Sequence, residues 1–445
     1  MAEAAVGGAR ESAPAWRGGF GRLWGAAAVS SFGDAVRAAA LPLLATTLTR
    51  EPLLIAAVSA CGYLPWLLFG LLGGALADRV DQRRAMVAVD LVRGVLVALF
   101  AVAVARGHAT IGLLLALAFA LTSMETLFDN AATALLPALV PPEQLGRANG
   151  RLMTGQQLVK TVAGLPAAPL LLAGGAALPF ATDAASYLVA AVLVAPLRRV
   201  LPGRPPRRAG STLRAEIAEG LRTLAGDRAL RGLCAATTLC NIGVASLVAT
   251  LVLVSGRHLH LGTTGYALLL TAYGVGGICG GLLATPLARR VGQARTVLLA
   301  GTGQILCLLV LGLAPGGLVA GAALGVFGGL GMAWNVSSRT LMQRAVRREL
   351  LGRVSAAFRT CAVAGAPLGA LTGGAVVRWW GPAAPPFLAA VFFVLSVLAL
   401  LPAVRAVAGG APRESGGGSP LLTKKDTGDA GVPVSRSGQG GPDDA

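Results

Sequence analysis

Apolar residues along the chain form long continuous stretches that are separated by short polar or basic segments. Each stretch runs for about 20 residues, the length that an α-helix needs to cross a bilayer. Six stretches precede a segment rich in Arg, Pro and Gly, and six follow it. Their approximate bounds are Leu23–Leu48, Pro52–Leu76, Ala85–Ala105, Ala109–Leu136, Leu152–Leu172, Ala177–Leu197, Ala229–Val254, Tyr266–Leu287, Thr296–Ala314, Gly317–Thr340, Val354–Val377 and Pro385–Val404.

Apolar stretches of this length predict helices rather than strands. The bilayer core holds no water for backbone groups, so a spanning segment must satisfy its own hydrogen bonds. Strands of a membrane barrel would be about ten residues long and would alternate strictly between apolar and polar positions. The pattern therefore predicts an all-α integral membrane protein with twelve transmembrane helices in two six-helix bundles.

The composition also favours a membrane protein. Hydrophobic residues make up 55% of the chain and charged residues only 13%, whereas about a quarter of the residues in a soluble domain are charged. The net charge of +18 would suggest nucleic acid as the partner of a soluble protein. Here the basic residues lie in short clusters between the apolar stretches. We therefore expect a lipid bilayer around the chain and no nucleic acid as a partner.

Arginines are distributed unevenly between the two sets of loops. One set holds only Arg50, Arg106, Arg257 and Arg378. The other set holds the arginine clusters within residues 79–84, 147–151, 198–231, 289–295 and 344–353. Because Lys and Arg concentrate on the cytoplasmic side of a membrane, we expect both termini to be cytoplasmic. The first twenty residues lack the apolar run of a signal peptide, so we expect the first span to be retained.

The apolar pattern divides the chain into five parts. They are a cytoplasmic N-terminus at 1–21, a first bundle at 22–198, a cytoplasmic linker at 199–228, a second bundle at 229–405 and a disordered cytoplasmic tail at 406–445. The linker contains an amphipathic stretch, and such a stretch is typical of a helix on the membrane surface. Its apolar positions are Leu213, Ile217, Leu221 and Leu224. The tail has too little apolar content to fold.

The two halves of the sequence are related by an internal repeat. The segment Leu76–Arg84 matches Leu287–Arg295 at an offset of 211 positions, with six of nine residues identical. Further along, Glu143–Arg147 parallels Glu349–Arg353 at an offset of 206 positions. Two six-helix halves in the same orientation are typical of a transporter whose central site lies where the repeats meet.

The segment Gly74–Arg84, between the second and third helices, resembles motif A of the major facilitator superfamily. The segments Phe32–Asp34 and Pro141–Leu145 resemble the branch of this family that contains bacterial siderophore and macrolide exporters. The resemblance runs from the first span to the last and implies the major facilitator fold with two pseudo-symmetric bundles. The chain departs from the family pattern at Asp81, which replaces the usual glycine of motif A, and in the fourth helix, which lacks the arginine of motif B.

Motif A implies a conformational latch on the cytoplasmic side. Asp78 would bind the start of the eleventh helix, and Arg83 or Arg84 would reach Asp129 in the fourth helix. An arginine–carboxylate contact of this kind would hold the halves together while the cavity faces outward, and would break when it opens inward. The latch residues that the resemblance implies are Gly74, Asp78, Arg79, Arg83, Arg84 and Asp129.

Few ionisable residues lie within the predicted spans, and each is a candidate for function because a charge at mid-bilayer costs roughly 2.5–3.5 kcal/mol. Asp34 lies near the middle of the first helix, and Arg37 follows on the same face. The two residues are either a purely structural ion pair or a group that exchanges a proton against substrate. The repeat places Val244 at the position of Asp34, so the acid is not a symmetric structural feature. Glu125 in the fourth helix is the second candidate for proton coupling, and it is also placed to meet a cationic substrate.

Other charged residues are expected to have structural roles. Asp90 and Arg93 form an i,i+3 pair, Asp183 lies near the start of the sixth helix, and Lys160 can extend to the membrane interface as an anchor. A separate set of mainly polar and aromatic residues is expected to line a substrate cavity. This set comprises Phe32, Arg37, Tyr63, Gln156, Asn241, Gln304, Trp334 and Asn335.

The sequence lacks the patterns that an enzyme, a metal site or an ATP-driven pump needs. The three histidines, His108, His258 and His260, all fall on the side predicted to be outside, and no phosphate-binding loop occurs. We therefore predict a chain that is not an enzyme and that carries no metal or cofactor. Energy for transport would come from a gradient or from a partner protein.

The resemblance implies a secondary transporter of the bacterial plasma membrane, and we expect it to be a monomer. It would export a small amphipathic molecule, such as a drug, macrolide or siderophore, in exchange for protons, with alternating access of its cavity. Two alternatives remain open at this point. One is an uptake carrier or facilitator without proton coupling. The other is a membrane sensor or interaction protein that moves nothing, for which the tail after Val404 is short as an output domain.

Overall fold

The computed structural model describes residues 18–77, 81–136, 139–141, 144–197, 213–346 and 350–408. Throughout these ranges the chain is built from α-helices joined by short connections, without strands. This agrees with the all-α class that the apolar pattern predicts. The predicted tail after residue 408 and residues 1–17 lie outside the described ranges.

The first half of the chain contains six apolar helices. They are α1 (Gly19–Leu48), α2 (Pro52–Ala77), α3 (Gln82–Ala105), α4 (Ile111–Leu135), α5 (Leu145–Gly174) and α6 (Leu178–Val194). Helix α5 includes a π-helical segment at Val159–Gly164.

The second half contains one short helix and six long ones. They are α7 (Leu213–Gly226), α8 (Arg228–His258), α9 (Thr263–Val291), α10 (Gln293–Gly312), α11 (Gly317–Ala345), α12 (Leu351–Trp380) and α13 (Ala384–Ala408). Helix α8 ends in a π-helical turn at Val254–His258.

Twelve of these helices carry the apolar stretches of the sequence. Ten of the described helices are long and apolar enough to cross a membrane, and two shorter apolar stretches, Pro52–Leu68 in α2 and Leu178–Val194 in α6, complete the set. The prediction of twelve transmembrane helices is therefore confirmed at the level of element number and type.

Local sequence explains several helix ends. Asp81 and Thr110 accept backbone hydrogen bonds from the first turns of α3 and α4, and Asp227 does the same for α8. Asp81 therefore serves as a helix cap at the position where the family usually has glycine. The turn between α9 and α10 needs Gly292, whose φ of 88° lies in the left-handed region.

The repeat in the sequence is also present in the helix packing. Helix α1 packs against α5 and α6, and α8 packs against α12 and α13. Likewise α3 packs against α4 and α6, and α10 against α11 and α13. The contacts between the halves follow the same symmetry, because α2 packs against α12 and α5 packs against α9.

Glycines allow close helix crossings at equivalent places in both halves. A Cβ at Gly33 would collide with Ser186 of α6, and a Cβ at Gly243 would press on Phe393 of α13. These two glycines are 210 positions apart, which agrees with the sequence repeat. Because glycine has no side chain, residues of α6 can pack directly against the backbone of α1, and residues of α13 against that of α8.

The amphipathic linker stretch forms α7 and packs against the second bundle. Gly220 lies against the backbone carbonyl of Arg353 in α12, and the Arg353 guanidinium forms an ion pair with Glu219. Leu224 is buried. The helix therefore docks on protein through one face, and its predicted position at the membrane surface stays a prediction.

Candidate functional site

Six side chains from three helices form a buried ion cluster inside the first half. Helix α1 contributes Asp34 and Arg37, α3 contributes Asp90 and Arg93, and α6 contributes Asp183 and Tyr187. In each pair the two residues are three or four positions apart, so each helix turns both side chains towards the same neighbours. Close packing of α1 and α3 on α6 brings the three pairs together.

Arg37 joins the two acids of α1 and α6. Its Nη2 lies 2.8 Å from Oδ1 of Asp34, and its Nε donates to Oδ2 of Asp183 at 2.8 Å. The i,i+3 pair of Asp34 with Arg37 that the sequence predicts is therefore present, but Arg37 divides its charge between two carboxylates.

Asp34 receives further contacts on the same oxygen. The Tyr187 hydroxyl donates a hydrogen bond of 2.6 Å to Oδ1, and Nη2 of Arg93 lies 3.6 Å away. The Arg93 guanidinium also lies over the Tyr187 ring, 4.4 Å from its centroid. The side chain of Asp34 is 13% exposed, whereas that of Arg93 is 1% exposed. Asp34 is thus the most exposed acid of the cluster, since the side chains of Asp90 and Asp183 are 0% exposed.

Asp90 and Asp183 are less completely paired. Asp90 lies 3.9 Å from Arg93, and neither of its carboxyl oxygens has a hydrogen-bond partner among the described residues. Within the same ranges, Oδ1 of Asp183 also has none. Both acids are fully buried. The structure thus connects both residues, which were expected to be structural, to the pair of Asp34 and Arg37: Asp183 contacts Arg37 directly, and Asp90 is linked to Asp34 through Arg93.

A small charged cavity of about 90 Å³ opens beside Asp34. Helix α4 contributes Glu125 to its wall, and α5 contributes Gln156 and Lys160. Lys160 lies in the π-helical segment of α5 and lines this cavity. The sequence instead predicts that Lys160 extends to the membrane interface as an anchor. The full lining consists of Ala27, Ser30, Ser31, Asp34, Arg93, Glu125, Phe128, Gln156 and Lys160.

A larger cavity of about 310 Å³ lies in the second half, at the middle of its helices. We call it the uncharged cavity, because its lining contains no Asp, Glu, Lys, Arg or His. Gln157 of α5 reaches its wall from the first half. The other lining residues are Thr237, Cys240, Asn241, Val244, Tyr273, Gly274, Gly277, Gln304, Gly328, Gly331, Met332, Trp334, Asn335 and Phe393.

The predicted cavity residues divide between these places. Asn241, Gln304, Trp334 and Asn335 line the uncharged cavity, and Gln156 lines the charged cavity. The remaining three line neither of these two cavities: Phe32 and Tyr63 are partly buried in the packing of the first half, and Arg37 lies in the ion cluster.

Tyr187 and the contacts of Asp183 are the features that sequence reasoning missed. Tyr187 follows Asp183 by one helical turn, which places both on one face of α6. That spacing is a usable signal, although it does not reveal which helix the face meets.

The predicted latch lies mostly outside what the structure describes. Asp78 and Arg79 belong to an undescribed connection, and the surroundings of Gly74 and the side chain of Asp129 are likewise outside the described part. Arg84 is described, and its Nε lies 3.7 Å from Asp81 of its own helix turn. The contact of Arg83 or Arg84 with Asp129 stays a prediction.

Contacts between the halves are found where α1 ends and α2 begins, which we call the distal end. Arg378 at the end of α12 forms an ion pair of 3.2 Å with Glu51, and Arg257 donates to the carbonyl of Arg50 at 3.3 Å. Gly374 of α12 also packs closely on the first turns of α2. Three of the four loop arginines of the sparse set thus lie at these contacts between the halves: Arg50, Arg257 and Arg378.

At the middle of the bundle the halves touch again. Gly274 of α9 lies against Thr161 of α5 so closely that a Cβ would collide with it. Gln157, one helical turn before Thr161, donates to the Thr161 hydroxyl and lines the uncharged cavity. The uncharged cavity therefore lies between the contact of Thr161 with Gly274 and the end of the bundle where α5 starts. The distal end lies on the opposite side of that contact.

Comparison with known proteins agrees with this architecture. A family model described as Major Facilitator Superfamily matches residues 23–370 and 233–432. The chain is 24% identical over 269 residues to macrolide efflux protein A of Streptococcus pyogenes, and this match covers 60% of the chain and 66% of that protein, just under two thirds. It is 26% identical over 318 residues to the enterobactin exporter EntS of Citrobacter koseri, covering 68% of the chain and 72% of the exporter.

Among solved structures, the nucleoside transporter NupG superposes with a TM-score of 0.70 at 12% sequence identity, covering 86% of this chain and 98% of that chain. This similarity shows the fold. Because the family consists of transporters, its match to most of the chain agrees with the prediction of a chain that is not an enzyme. The family match, the repeated packing of two six-helix halves and the structural similarity lead to one conclusion: the chain belongs to the Major Facilitator Superfamily.

Proposed function

We propose that this chain is a secondary active transporter that exports a small amphipathic organic molecule from a bacterial cell in exchange for protons. The observation that carries this proposal is the buried ion cluster beside a cavity, both formed by helices that are apolar enough to cross a membrane. Buried charges are costly in a membrane helix, and a cluster of them that is open to a cavity is typical of ion and proton pathways.

Alternating access is supported by the distribution of contacts between the halves. The ion pair of Glu51 with Arg378 and the packing of Gly374 close the distal end, and the uncharged cavity lies on the other side of the contact between Thr161 and Gly274. The arginine distribution makes the distal end the outer side. The molecule would thus be closed to the outside, with both termini in the cytoplasm.

Proton exchange is supported by the balance of charges around Asp34. The cluster and the charged cavity together contain four carboxyl groups, Asp34, Asp90, Asp183 and Glu125, but only three cations, Arg37, Arg93 and Lys160. A site with one surplus carboxyl group favours the binding of one proton. Asp34 and Glu125 face the cavity and would pass the proton to or from water.

Export is supported by the two relatives, which are described as a macrolide efflux protein and an enterobactin exporter. Protonation of the cluster would shift the population of the inward-open and outward-open states, provided that the proton binds the two states with different affinity. The substrate would be released as the proton enters from the outside.

Transport in vesicles tests this function. Purified protein in liposomes receives a radiolabelled macrolide on one side, and its movement is measured with and without a pH gradient. We expect a pH gradient to drive accumulation, and Asp34→Asn to abolish this accumulation while macrolide exchange at equal pH persists. Macrolide movement that is the same with and without the gradient would favour the uncoupled carrier. If Asp34→Asn leaves gradient-driven accumulation intact, the role of Asp34 is wrong.

A further inference from the structure

Asp90 is the acid of the ion cluster whose charge would be stabilised least. Neither of its carboxyl oxygens has a hydrogen-bond partner among the described residues, and its side chain is 0% exposed. The arginine that pairs with it, Arg93, holds its Nη1 3.9 Å away, which is too long for a hydrogen bond. An ionised carboxylate in this place would have neither water nor a bonded donor, and such burial is far more costly for a charged group than for an uncharged one. The surroundings of Asp90 therefore favour its protonated form.

The other acids of the cluster and of the charged cavity are better suited to the ionised form. Asp34 accepts a hydrogen bond of 2.8 Å from Nη2 of Arg37, and Oδ2 of Asp183 accepts one of 2.8 Å from Nε of the same side chain. Glu125 lines the charged cavity, where water can reach it. Bonded cationic donors and hydration both stabilise a carboxylate. A single proton in this group of acids is therefore held best by Asp90.

Protonation of Asp90 also balances the charges around it. Helix α3 packs against α4 and α6, and α6 in turn packs against α1. Together with α5, these helices bring the following described titratable groups to the cluster and the charged cavity: Asp34, Arg37, Arg93, Glu125, Lys160, Asp183 and Tyr187. The tyrosine takes part as a hydroxyl that donates a hydrogen bond. With Asp90 uncharged, three carboxylates thus face three cations.

The second half shows that helix packing does not require an acid at this position. At the offset of 211 positions that relates Leu76–Arg84 to Leu287–Arg295, Asp90 corresponds to Gly301 of α10. Helix α10 packs against α11 and α13 in the way that α3 packs against α4 and α6. The neighbours of Gly301 in this packing are the side chains of Val397 and Trp334. Because the fold can be built with apolar neighbours and no acid here, the buried acid of α3 is a candidate for function.

We propose that Asp90 is the proton-binding site of this transporter and that the carried proton is held there, shielded from water, while the distal end is closed. Binding adds one proton from water to a carboxyl oxygen of Asp90, and release returns it to water; no other bond forms or breaks. Arg93 pairs with Asp90 and also lines the charged cavity, so it separates the site from Asp34 and Glu125. Release requires this pair to open. This inference rests on the proposed transport function, and it assigns the proton to a residue that the cavity does not reach.

Infrared spectroscopy of the purified full-length protein in liposomes tests where the proton is held. At about pH 8 exposed carboxyl groups are ionised, so the carbonyl band of a protonated carboxyl group reports a shielded acid. We expect such a band, and we expect ¹³C labelling of aspartate side chains to shift it and Asp90→Asn to remove it. The matched control is Asp227→Asn at the cap of α8, which should leave the band unchanged.

The absence of this band would overturn the assignment, as would a band that persists in Asp90→Asn and is lost in Asp34→Asn or Asp183→Asn. Thermal unfolding shows whether each variant is folded. Asparagine has the shape of protonated aspartate, so we expect Asp90→Asn to change the melting temperature by less than about 4 °C. If it does not fold, Asp90→Glu is measured instead. The band of that variant should then shift with ¹³C-labelled glutamate, and a band that ignores this label would contradict the proposal.

Transport in vesicles separates this proposal from the proposed function. With a pH gradient, Asp90→Asn should lose macrolide accumulation but keep exchange at equal pH, and Asp227→Asn should keep both. If Asp90→Asn accumulates the macrolide as well as the unchanged chain does, the proton site is wrong while transport stands. If the unchanged chain shows the Asp90 band but no gradient-driven accumulation, the transport function and the carrier role are wrong while the protonation of Asp90 stands.

Discussion

Replacement of Arg37 by methionine tests the physical basis of the ion cluster. Methionine keeps much of the length and volume of arginine but removes the charge that Asp34 and Asp183 share at 2.8 Å each. Removal of one partner from a buried ion pair costs about 3–5 kcal/mol, because an uncompensated charge stays behind. Asp34 retains the Tyr187 hydroxyl, whereas the 0% exposed side chain of Asp183 loses the ion-pair partner nearest to it. We therefore expect a loss of stability of about 3–5 kcal/mol.

The loss is measured by equilibrium denaturation of the purified protein in detergent. Arg22→Met is the matched control, since Arg22 is on the same helix but exposed, and we expect it to change the free energy of unfolding by less than about 0.5 kcal/mol. The double variant Arg37→Met with Asp183→Asn removes the stranded charge together with its partner. It should recover at least about 1 kcal/mol relative to Arg37→Met alone, because directly contacting residues are not additive.

Two results would refute this reasoning. The first is a cost for Arg37→Met that does not differ from that for Arg22→Met, which would mean that water or lipid headgroups already solvate the cluster. The second is a double variant whose loss of unfolding free energy equals the sum of the losses caused by Arg37→Met alone and Asp183→Asn alone. That result would mean that Arg37 and Asp183 do not interact in the protein.

Three further predictions concern packing, capping and the distal end. Gly33→Val should destabilise the protein by about 1–3 kcal/mol, since a Cβ collides with α6, whereas Gly112→Ala, which meets no atoms within 4 Å, should be neutral in thermal unfolding. Asp227→Ala removes the cap of α8 and should cost about 1 kcal/mol in the same assay; an unchanged melting temperature would contradict the cap. Glu51→Gln breaks an exposed ion pair and should cost less than about 1 kcal/mol, but it should increase the labelling of cysteines placed at the distal end. Equal labelling of this variant and the unchanged chain would show that the pair does not help to close that end.

Helix number and the internal repeat could be predicted from the sequence because both depend on local patterns. Each of the twelve apolar stretches predicts a helix, because lipid offers no hydrogen-bond partners and a segment that crosses it must pair its own backbone groups. The offset of Leu76–Arg84 from Leu287–Arg295 predicts the symmetric packing of the halves. The observed helix ends differ from the predicted ones by a few residues where a capping residue determines the end. For example, α3 begins at Gln82 after its cap Asp81, whereas the apolar stretch begins at Ala85.

The ion cluster could be predicted only in part. Asp34 and Arg37 are visible as a pair on one helix, but the contact of Arg37 with Asp183 joins positions 146 apart and depends on how α1 crosses α6. Nothing in the sequence of α3 or α6 alone shows that Asp90 and Asp183 share one site. The same limit applies to Lys160, whose direction depends on the π-helical segment of α5.

The division of the predicted cavity residues into two places also required the three-dimensional packing. Gln156 and Gln157 are adjacent in the sequence but line different cavities, because neighbouring positions on a helix point about 100° apart. The charge difference between the cavities reflects differences between equivalent positions of the repeat. For example, Asp34 lines the charged cavity and its equivalent, Val244, lines the uncharged cavity, but only the structure shows that these positions line cavities.

The central claim is that protonation of the ion cluster in the first half shifts the protein between its inward-open and outward-open states. It is tested most directly by spin-label distances in liposomes, in a variant without native cysteines. One label pair replaces Thr154 and Thr285, on the parts of α5 and α9 that are remote from the distal end, and a second pair replaces Arg50 and the exposed Trp379 at the distal end, which leaves the ion pair of Glu51 with Arg378 intact. We predict that a change of pH shifts the two distance distributions in opposite directions and that Asp34→Asn removes the shift. Distances at both ends that stay the same at every pH would contradict the account.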